Sequence, residues 1–167
     1  MIRIDERATS ASPSGVFRAA ADVERWPAIL PHYRWVRFRE KRGFAAGIVE
    51  MAAWRDFGGP LRWPTWWLSE MESEPDTPLV RYRHIDGITR GMDVRWEFVP
   101  AVGGGTLVRV VHEWDGPAWP LIGGLAANAV IGPHFVSAIA ERTLAGVCGA
   151  AERAGAQAPG KERHGHA

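Results

Sequence analysis

The chain has 167 residues and a formal net charge of +1, with 46% hydrophobic and 23% charged residues. This size fits one globular domain with a sizeable core, and the lack of a large basic field disfavours nucleic-acid binding. The single cysteine, Cys148, rules out an intrachain disulfide framework, and its apolar helical surroundings indicate a buried, unreactive thiol.

The first part of the chain predicts one strand and two short helices. Residues 1–10 alternate as a strand does. Ser12 followed by Pro13 is typical of an N-cap and a first helical position. We expect Asp22 to cap a second helix over residues 23–30, which the internal proline must shorten or kink.

Six further strands are predicted, separated by turns rich in glycine and proline. Their expected ranges are residues 33–41, 44–55, 63–74, 79–86, 92–100 and 106–115. Turns are expected at Gly58-Gly59-Pro60, between Gly87 and Gly91, and at residues 103–105. Short strands at this spacing favour an antiparallel meander.

The C-terminal part predicts a long helix gripped by the sheet, from about residue 121 to 153, bent at Gly132-Pro133. The stretch from Gly116 to Ala140 has no charged residue, but its prolines make it a poor spanning helix, so membrane contact is not expected. We therefore expect an α+β domain over residues 1–153 and a disordered tail over residues 154–167. The N-terminus lacks the apolar segment of a signal peptide, so a cytoplasmic location is expected.

Alternation along the strands divides their side chains between two faces, and the charged residues mark the outer face. Leu107 and Val111 fall on the outer face with Arg109 and Glu113. The residues expected inside are Trp67, Ser69, Met71, Val80, Tyr82, His84, Met92, Val94, Trp96, Phe98, Val108, Val110, His112 and Trp114.

The inner set contains polar groups that a solid core rarely carries, because each unsatisfied buried group costs about 1–3 kcal/mol. A cavity holding a ligand would satisfy them. For His84, His112 and Ser69 a backbone partner in an ordinary core is the alternative, and the nine tryptophans fit a core as well as a pocket. His134 fits either a pocket mouth or an exposed helix face. The histidines lie on separate elements without ligand spacing, so no metal is expected.

The order of elements and four motifs resemble the polyketide cyclase/dehydrase group of the START or Bet v 1-like superfamily. The motifs are Asp-Val-Glu-Arg-Trp-Pro at residues 22–27 with Tyr33, Trp-Leu-Ser-Glu at 67–70, Met-Asp-Val-Arg-Trp-Glu-Phe at 92–98, and Gly-Gly-Thr at 104–106 leading to Arg109 and Trp114. The resemblance implies the helix-grip fold, a curved antiparallel sheet wrapped around a long C-terminal helix.

The functional branch that the chain resembles is that of the aromatase/cyclases of bacterial aromatic polyketide pathways. The resemblance implies a pocket built from Trp26, Tyr33, Ser69 and strand tryptophans Trp67 and Trp96. The chain departs from the cyclases where they carry pocket arginines, because Met71 and His84 stand at those positions. Methionine can neither steer an enolate nor polarise a ketone, so a non-catalytic role stays open.

Three functions are therefore considered. As a cyclase/dehydratase, the protein would use His112 or His84 for acid/base work, with Tyr33 and Ser69 as hydrogen-bond donors. An acyl carrier protein would then deliver the substrate, and no cofactor is expected. The alternatives are a carrier of a lipid, quinone or other hydrophobic ligand, and a protein-interaction module. The expected ligand-binding residues are Trp26, Trp67, Met71, Tyr82, Met92, Trp96, Trp114 and Phe135. Trp35, Trp54 and Trp66 either form a homodimer interface or pack under loops.

Overall fold

The computed structural model describes residues 1–56, 62–116 and 137–157. The described strands are β1 (Ile2–Thr9), β2 (Tyr33–Lys41), β3 (Gly47–Asp56), β4 (Arg62–Glu74), β5 (Leu79–Gly87), β6 (Asp93–Pro100) and β7 (Thr106–Glu113). The helices are α1 (Pro13–Ala21), α2 (Trp26–Ile29) and α3 (Ser137–Gln157), with a 3-10 turn (Val23–Arg25) before α2.

The seven strands form one antiparallel sheet in the order β1-β7-β6-β5-β4-β3-β2. Strands β2 to β7 follow one another as a meander, and β1 pairs with β7 at the far edge. The C-terminal helix α3 packs against α1, β1 and residues of β3 and β7. The predicted helix-grip architecture is thus confirmed. Among the residues that the structure describes, every helix is too short or too polar to span a lipid bilayer.

The two short helices connect β1 to β2 at opposite edges of the sheet. The Ser12 side chain accepts a hydrogen bond from the Gly15 backbone N–H at 3.2 Å, which confirms the predicted cap of α1. The predicted cap at Asp22 is wrong, since its side chain makes no capping bond and lies 4.0 Å from Arg25. Asp22 has φ −82° and ψ 63°, outside the extended conformation that an N-cap residue typically adopts.

The division of the strands into two faces is confirmed with one exception. All the residues predicted inside are buried, whereas Val111, predicted on the outer face, is only 5% exposed. Ile4 of β1 and Arg95 of β6 lie directly opposite Val111 in the sheet. Because β7 has a neighbour on each side, these cross-strand side chains cover Val111 on the outer surface.

Helix α3 lies close to α2 at Gly146. A Cβ atom there would stand 2.1 Å from Cδ2 of Leu30, so an alanine would force the buried Leu30 side chain to move. Cys148, in the same helix, is buried as predicted, and burial raises its pKa to about 11. The helix continues to Gln157, beyond its predicted end at residue 153. The predicted turn at residues 58–60, the first part of this helix and the rest of the tail lie outside the described residues.

Several tryptophans belong to the outer face of β2, β3 and β4. The Arg34 guanidinium lies 4.6 Å from the ring centroids of both Trp35 and Trp54. The Trp66 indole N–H donates to the Glu50 carboxylate at 2.7 Å. These contacts stabilise the outer surface of the sheet. The predicted use of these rings in a homodimer stays a prediction.

Candidate functional site

A cavity of about 80 Å³ lies between the inner face of the sheet and α3. Eight of its lining residues are among those predicted for the site, namely Trp26, Tyr33, Trp67, Tyr82, His84, Met92, Trp96 and His112. The hollow interior inferred from alternation is therefore present, although it is small.

Aromatic rings form one connected wall of the cavity. Trp26 contacts Trp96 at 5.9 Å between ring centroids and Tyr33 at 5.2 Å. Tyr33 in turn contacts Trp67 at 6.1 Å, and the Trp67 ring stacks on His84 at 6.0 Å with an interplanar angle of 22°. The Trp-Pro sequence that follows the 3-10 turn thus places Trp26 over the sheet. Such a wall offers flat apolar surfaces to a ring-shaped ligand.

The sheet register brings the polar groups of the cavity together. Tyr82, Val94 and His112 are consecutive partners across β5, β6 and β7, so the tyrosine and the imidazole are separated by one strand. The Tyr82 hydroxyl and His112 Nδ1 are both buried and have no hydrogen-bond partner in the described structure. The Tyr82 hydroxyl therefore has a hydrogen bond to make that no described group of the protein supplies.

His84 is the most tightly held imidazole of the site. Its Nδ1 lies 2.6 Å from the hydroxyl of Thr89 in the β5–β6 turn, which leaves Nε2 for other partners. Burial lowers the pKa of His84 to about 3, and the nearby His112 acts in the same direction. His84 is therefore neutral at physiological pH.

His112 is also neutral, for a similar reason. Burial lowers its pKa to about 4, while Asp5 acts in the opposite direction and Arg3 in the same direction as burial. The nearest Asp5 carboxylate oxygen lies 3.9 Å from Nδ1, which is beyond hydrogen-bond distance. Two neutral imidazoles accept hydrogen bonds well but are weak bases.

The two tyrosines are protonated, because burial raises the pKa of Tyr33 and of Tyr82. The Thr143 hydroxyl of α3 donates to the Ile139 carbonyl at 2.7 Å and lies 3.4 Å from the Tyr33 hydroxyl. Tyr33 is thus already partnered, whereas Tyr82 is free to bind a ligand.

Three residues predicted for the site do not line the cavity. Ser69 and Met71 are buried in the core away from the cavity lining, and the Trp114 indole donates to the Arg90 carbonyl at 3.0 Å. Alternation along a strand predicts the face on which a side chain lies. It does not predict which residues of the inner face border the cavity. The remaining predicted residue, Phe135, lies outside the described residues.

The cavity also has lining residues that the site prediction missed, namely Met51, Thr89, Val94, Val110, Ile139, Ala140 and Thr143. Val94 and Val110 were assigned to the inner face, and Ile139 to the apolar stripe of the helix. The spacing of four residues between Ile139 and Thr143 places both on one helix face, and this signal could have identified Thr143. Thr89 lies in a turn, where sequence periodicity carries no signal.

Nothing in the described structure forms a metal site, since no group of three suitable ligands occurs there. The described lining of the cavity also contains no aspartate, glutamate, lysine or arginine. The site is therefore apolar, with a few hydrogen-bonding groups.

Comparison with known proteins identifies the family. A family profile described as "Polyketide cyclase / dehydrase and lipid transport" matches residues 9–131. The chain belongs to this family. The description of this family covers cyclase/dehydrase proteins and lipid transport. No curated protein matches the chain significantly.

Solved structures show the same fold at low sequence identity. The Zhui aromatase/cyclase from Streptomyces sp. R1128 is 20% identical with a TM-score of 0.74, over 96% of this chain and 99% of that one. The protein TTHA0849 from Thermus thermophilus is 22% identical with a TM-score of 0.71, over 92% and 99%. A START superfamily protein from Mycobacterium smegmatis is 15% identical with a TM-score of 0.62, over 92% and 95%. At these identities the likeness establishes the fold alone.

Proposed function

We propose that the protein binds a small, uncharged, hydrophobic molecule, aromatic or polyketide-like, in the cavity between the sheet and α3. The observation that carries this proposal is the unpartnered Tyr82 hydroxyl of a residue that lines an aromatic cavity in the described structure. A native structure rarely leaves such groups unsatisfied. A ligand with one hydroxyl or carbonyl group could bond the tyrosine directly while its ring contacts the tryptophans.

The ligand should be uncharged because the cavity offers no compensating charge. No charged side chain lines the described part of it, and both His84 and His112 are neutral. Moving a carboxylate or an ammonium group into such surroundings without a partner costs several kcal/mol or more. A phenol or a ketone avoids this cost.

The cavity volume sets the size of the first ligand to test. An apolar cavity of roughly 150 Å³ takes benzene, whereas this cavity measures about 80 Å³. A single ring therefore enters only if lining side chains move. Met51 and Met92 both line the cavity, and methionine changes its conformation at low cost. These residues are the ones expected to make room.

Titration with p-cresol tests the proposal, with tryptophan fluorescence as the signal because Trp26, Trp67 and Trp96 line the cavity. We expect saturable quenching by p-cresol, weaker binding of toluene, and no binding of p-toluate. A Tyr82→Phe variant should bind toluene as the native protein does but lose the preference for the phenol. Equal binding of p-cresol and p-toluate, or the absence of saturable binding by any of the three, would contradict the proposal.

A second proposed function is cyclisation and dehydration of a poly-β-ketone. It is favoured by Tyr82, His84 and His112 lining the same cavity. Such chemistry needs a folded substrate, a base for an acidic α-proton and a donor for the enolate or alkoxide oxygen. The imidazoles would transfer protons and Tyr82 would donate to the oxygen. Delivery of the substrate by an acyl carrier protein belongs to this second proposal.

The products formed from a poly-β-ketone carried on an acyl carrier protein test this second function. If it is right, His84→Asn with His112→Asn changes the product distribution. An unchanged distribution would leave ligand carriage as the function. The protein-interaction alternative stays a prediction.

A further inference from the structure

Strand β1 brings a carboxylate next to the imidazole of His112. We propose that Asp5 is a positioning residue for His112, which holds the Nδ1–H of that imidazole and leaves Nε2 to accept a proton or a hydrogen bond from a molecule in the cavity. This inference rests on the proposed ligand site. It adds Asp5, a residue of the edge strand β1, which pairs with β7. Asp5 belongs neither to the motifs nor to the cavity lining.

The geometry of Asp5 and His112 is close to that of a hydrogen-bonded pair. Asp5 is only 7% exposed, and its Oδ2 lies 3.9 Å from His112 Nδ1, a buried nitrogen without a hydrogen bond in the described structure. An N–H···O hydrogen bond needs about 2.7–3.2 Å. A movement of roughly 1 Å, within the range of side-chain adjustment on ligand binding, would therefore close the pair.

Arg3 controls how strongly Asp5 acts on the imidazole. It is the direct partner of His112 in the sheet register, and its guanidinium makes three hydrogen bonds to Asp5: Nη2 donates to Oδ1 at 2.9 Å, and Nε donates to Oδ1 at 3.1 Å and to Oδ2 at 3.2 Å. Its Nη2 also lies 3.3 Å from the exposed Glu141 carboxylate of α3. The groups that face or act on His112 are thus Asp5 and Arg3 from β1 and the neutral His84 from β5, with Glu141 from α3 acting through Arg3.

The arrangement gives a balanced proton transfer. The Nε2 lone pair of His112 takes a proton from an α-carbon or a hydroxyl group of the bound molecule, whose electron pair stays behind as an enolate or phenolate. The resulting imidazolium donates its Nδ1–H to Asp5, so its positive charge is stabilised by that carboxylate. The Tyr82 hydroxyl can donate to the anionic oxygen of the molecule. The same proton returns from Nε2 when the anion is quenched, and no other reactant is needed.

Imidazole NMR of three single variants of the ligand-free protein tests the inference. In Arg3→Gln, Asp5 loses its competing cation, so the pKa of His112 should rise by about 1 unit or more. In Asp5→Asn, Arg3 remains without its carboxylate, so His112 should stay neutral down to lower pH than in the native protein, or until the protein unfolds. Glu6→Gln is the matched control, because Glu6 lies next to Asp5 on β1 but pairs with Arg109 on the outer face. It should leave the His112 titration unchanged.

Opposite shifts in Arg3→Gln and Asp5→Asn support the role of Asp5, because a merely structural role would not reverse sign between the two. A His112 titration that does not move in Arg3→Gln, or that moves equally in Glu6→Gln, overturns it. Should Asp5→Asn fail to fold, the rise in Arg3→Gln alone decides. The p-cresol titration is a separate measurement. Shifted pKa values without ligand binding would reject only the proposed function, and binding without the shifts would reject only the role of Asp5.

Discussion

Mild acid should destabilise the protein, because His84 and His112 are buried as neutral imidazoles. Their pKa values in the folded state are about 3 and about 4, against 6.5 for an unperturbed histidine. Between these values the unfolded chain binds more protons than the folded protein. The free energy of unfolding therefore has its full value above about pH 6.5 and falls as the pH is lowered.

The size of the effect follows from the width of the window. In this window the histidine is protonated in the unfolded chain but not in the folded protein. The free energy of unfolding then falls by about 1.4 kcal/mol for each pH unit. Lowering the pH from about 6.5 to about 5 should therefore remove about 2 kcal/mol for each imidazole. Glu50 does not contribute to this pH dependence. Burial alone would raise its pKa, but the hydrogen bonds that it accepts from Arg37, Arg39 and Trp66 lower the pKa to about 2, below this pH range.

Urea unfolding at several pH values between about 8 and about 5 measures this dependence. The native protein should lose stability steadily below about pH 6.5, and His84→Asn or His112→Asn should each remove about half of the slope. The slope is the informative quantity, because both variants also change packing and so shift stability at every pH. A flat profile for the native protein, or the same slope in the double variant, would refute the assignment of two neutral buried imidazoles.

Three further predictions concern stability. Gly146→Ala should lower the free energy of unfolding by about 1–3 kcal/mol, because the added methyl group meets Leu30 beside α2. Gly155→Ala is the control in the same helix and should be stabilising, because its methyl group enters open space. Equal shifts of the melting temperature in the two variants would contradict this prediction. Glu50→Gln should cost about 1–2 kcal/mol because the buried carboxylate accepts three hydrogen bonds, while Glu40→Gln, at an exposed ion pair, should change urea unfolding little. Ser69→Ala should be neutral or stabilising, because the buried hydroxyl has no partner in the described structure; a clear loss of stability would indicate that this hydroxyl is bonded.

Much of the fold could be predicted from sequence because its signals are local. Turn glycines and period-two alternation follow directly from backbone geometry, and they located β2 to β7 and the inner positions of Tyr82, His84 and His112. The Ser12-Pro13 cap was likewise recognisable from two adjacent residues. These features depend on neighbours in the chain and not on the packing of distant elements.

The parts that could not be predicted depend on contacts between distant elements. In β1 the apolar residues face outward, since Ile2 and Ile4 are 72% and 53% exposed while Asp5 is buried. The rule that charge marks the outer face therefore fails where Arg3 neutralises a carboxylate inside. Likewise, Ser69 shares the inner face with the cavity residues but is covered by its neighbours, which only the assembled packing decides.

The central claim is that the cavity between the sheet and α3 is the ligand site, and a cavity-filling variant tests it most directly. Val110 lines the cavity and is 1% exposed, whereas Val99 lies on β6 and is 44% exposed. Fluorescence titration with p-cresol should show binding to the native protein and to Val99→Phe, and loss of binding to a folded Val110→Phe. If Val110→Phe folds and binds p-cresol as tightly as the native protein, the ligand lies elsewhere and the account is contradicted.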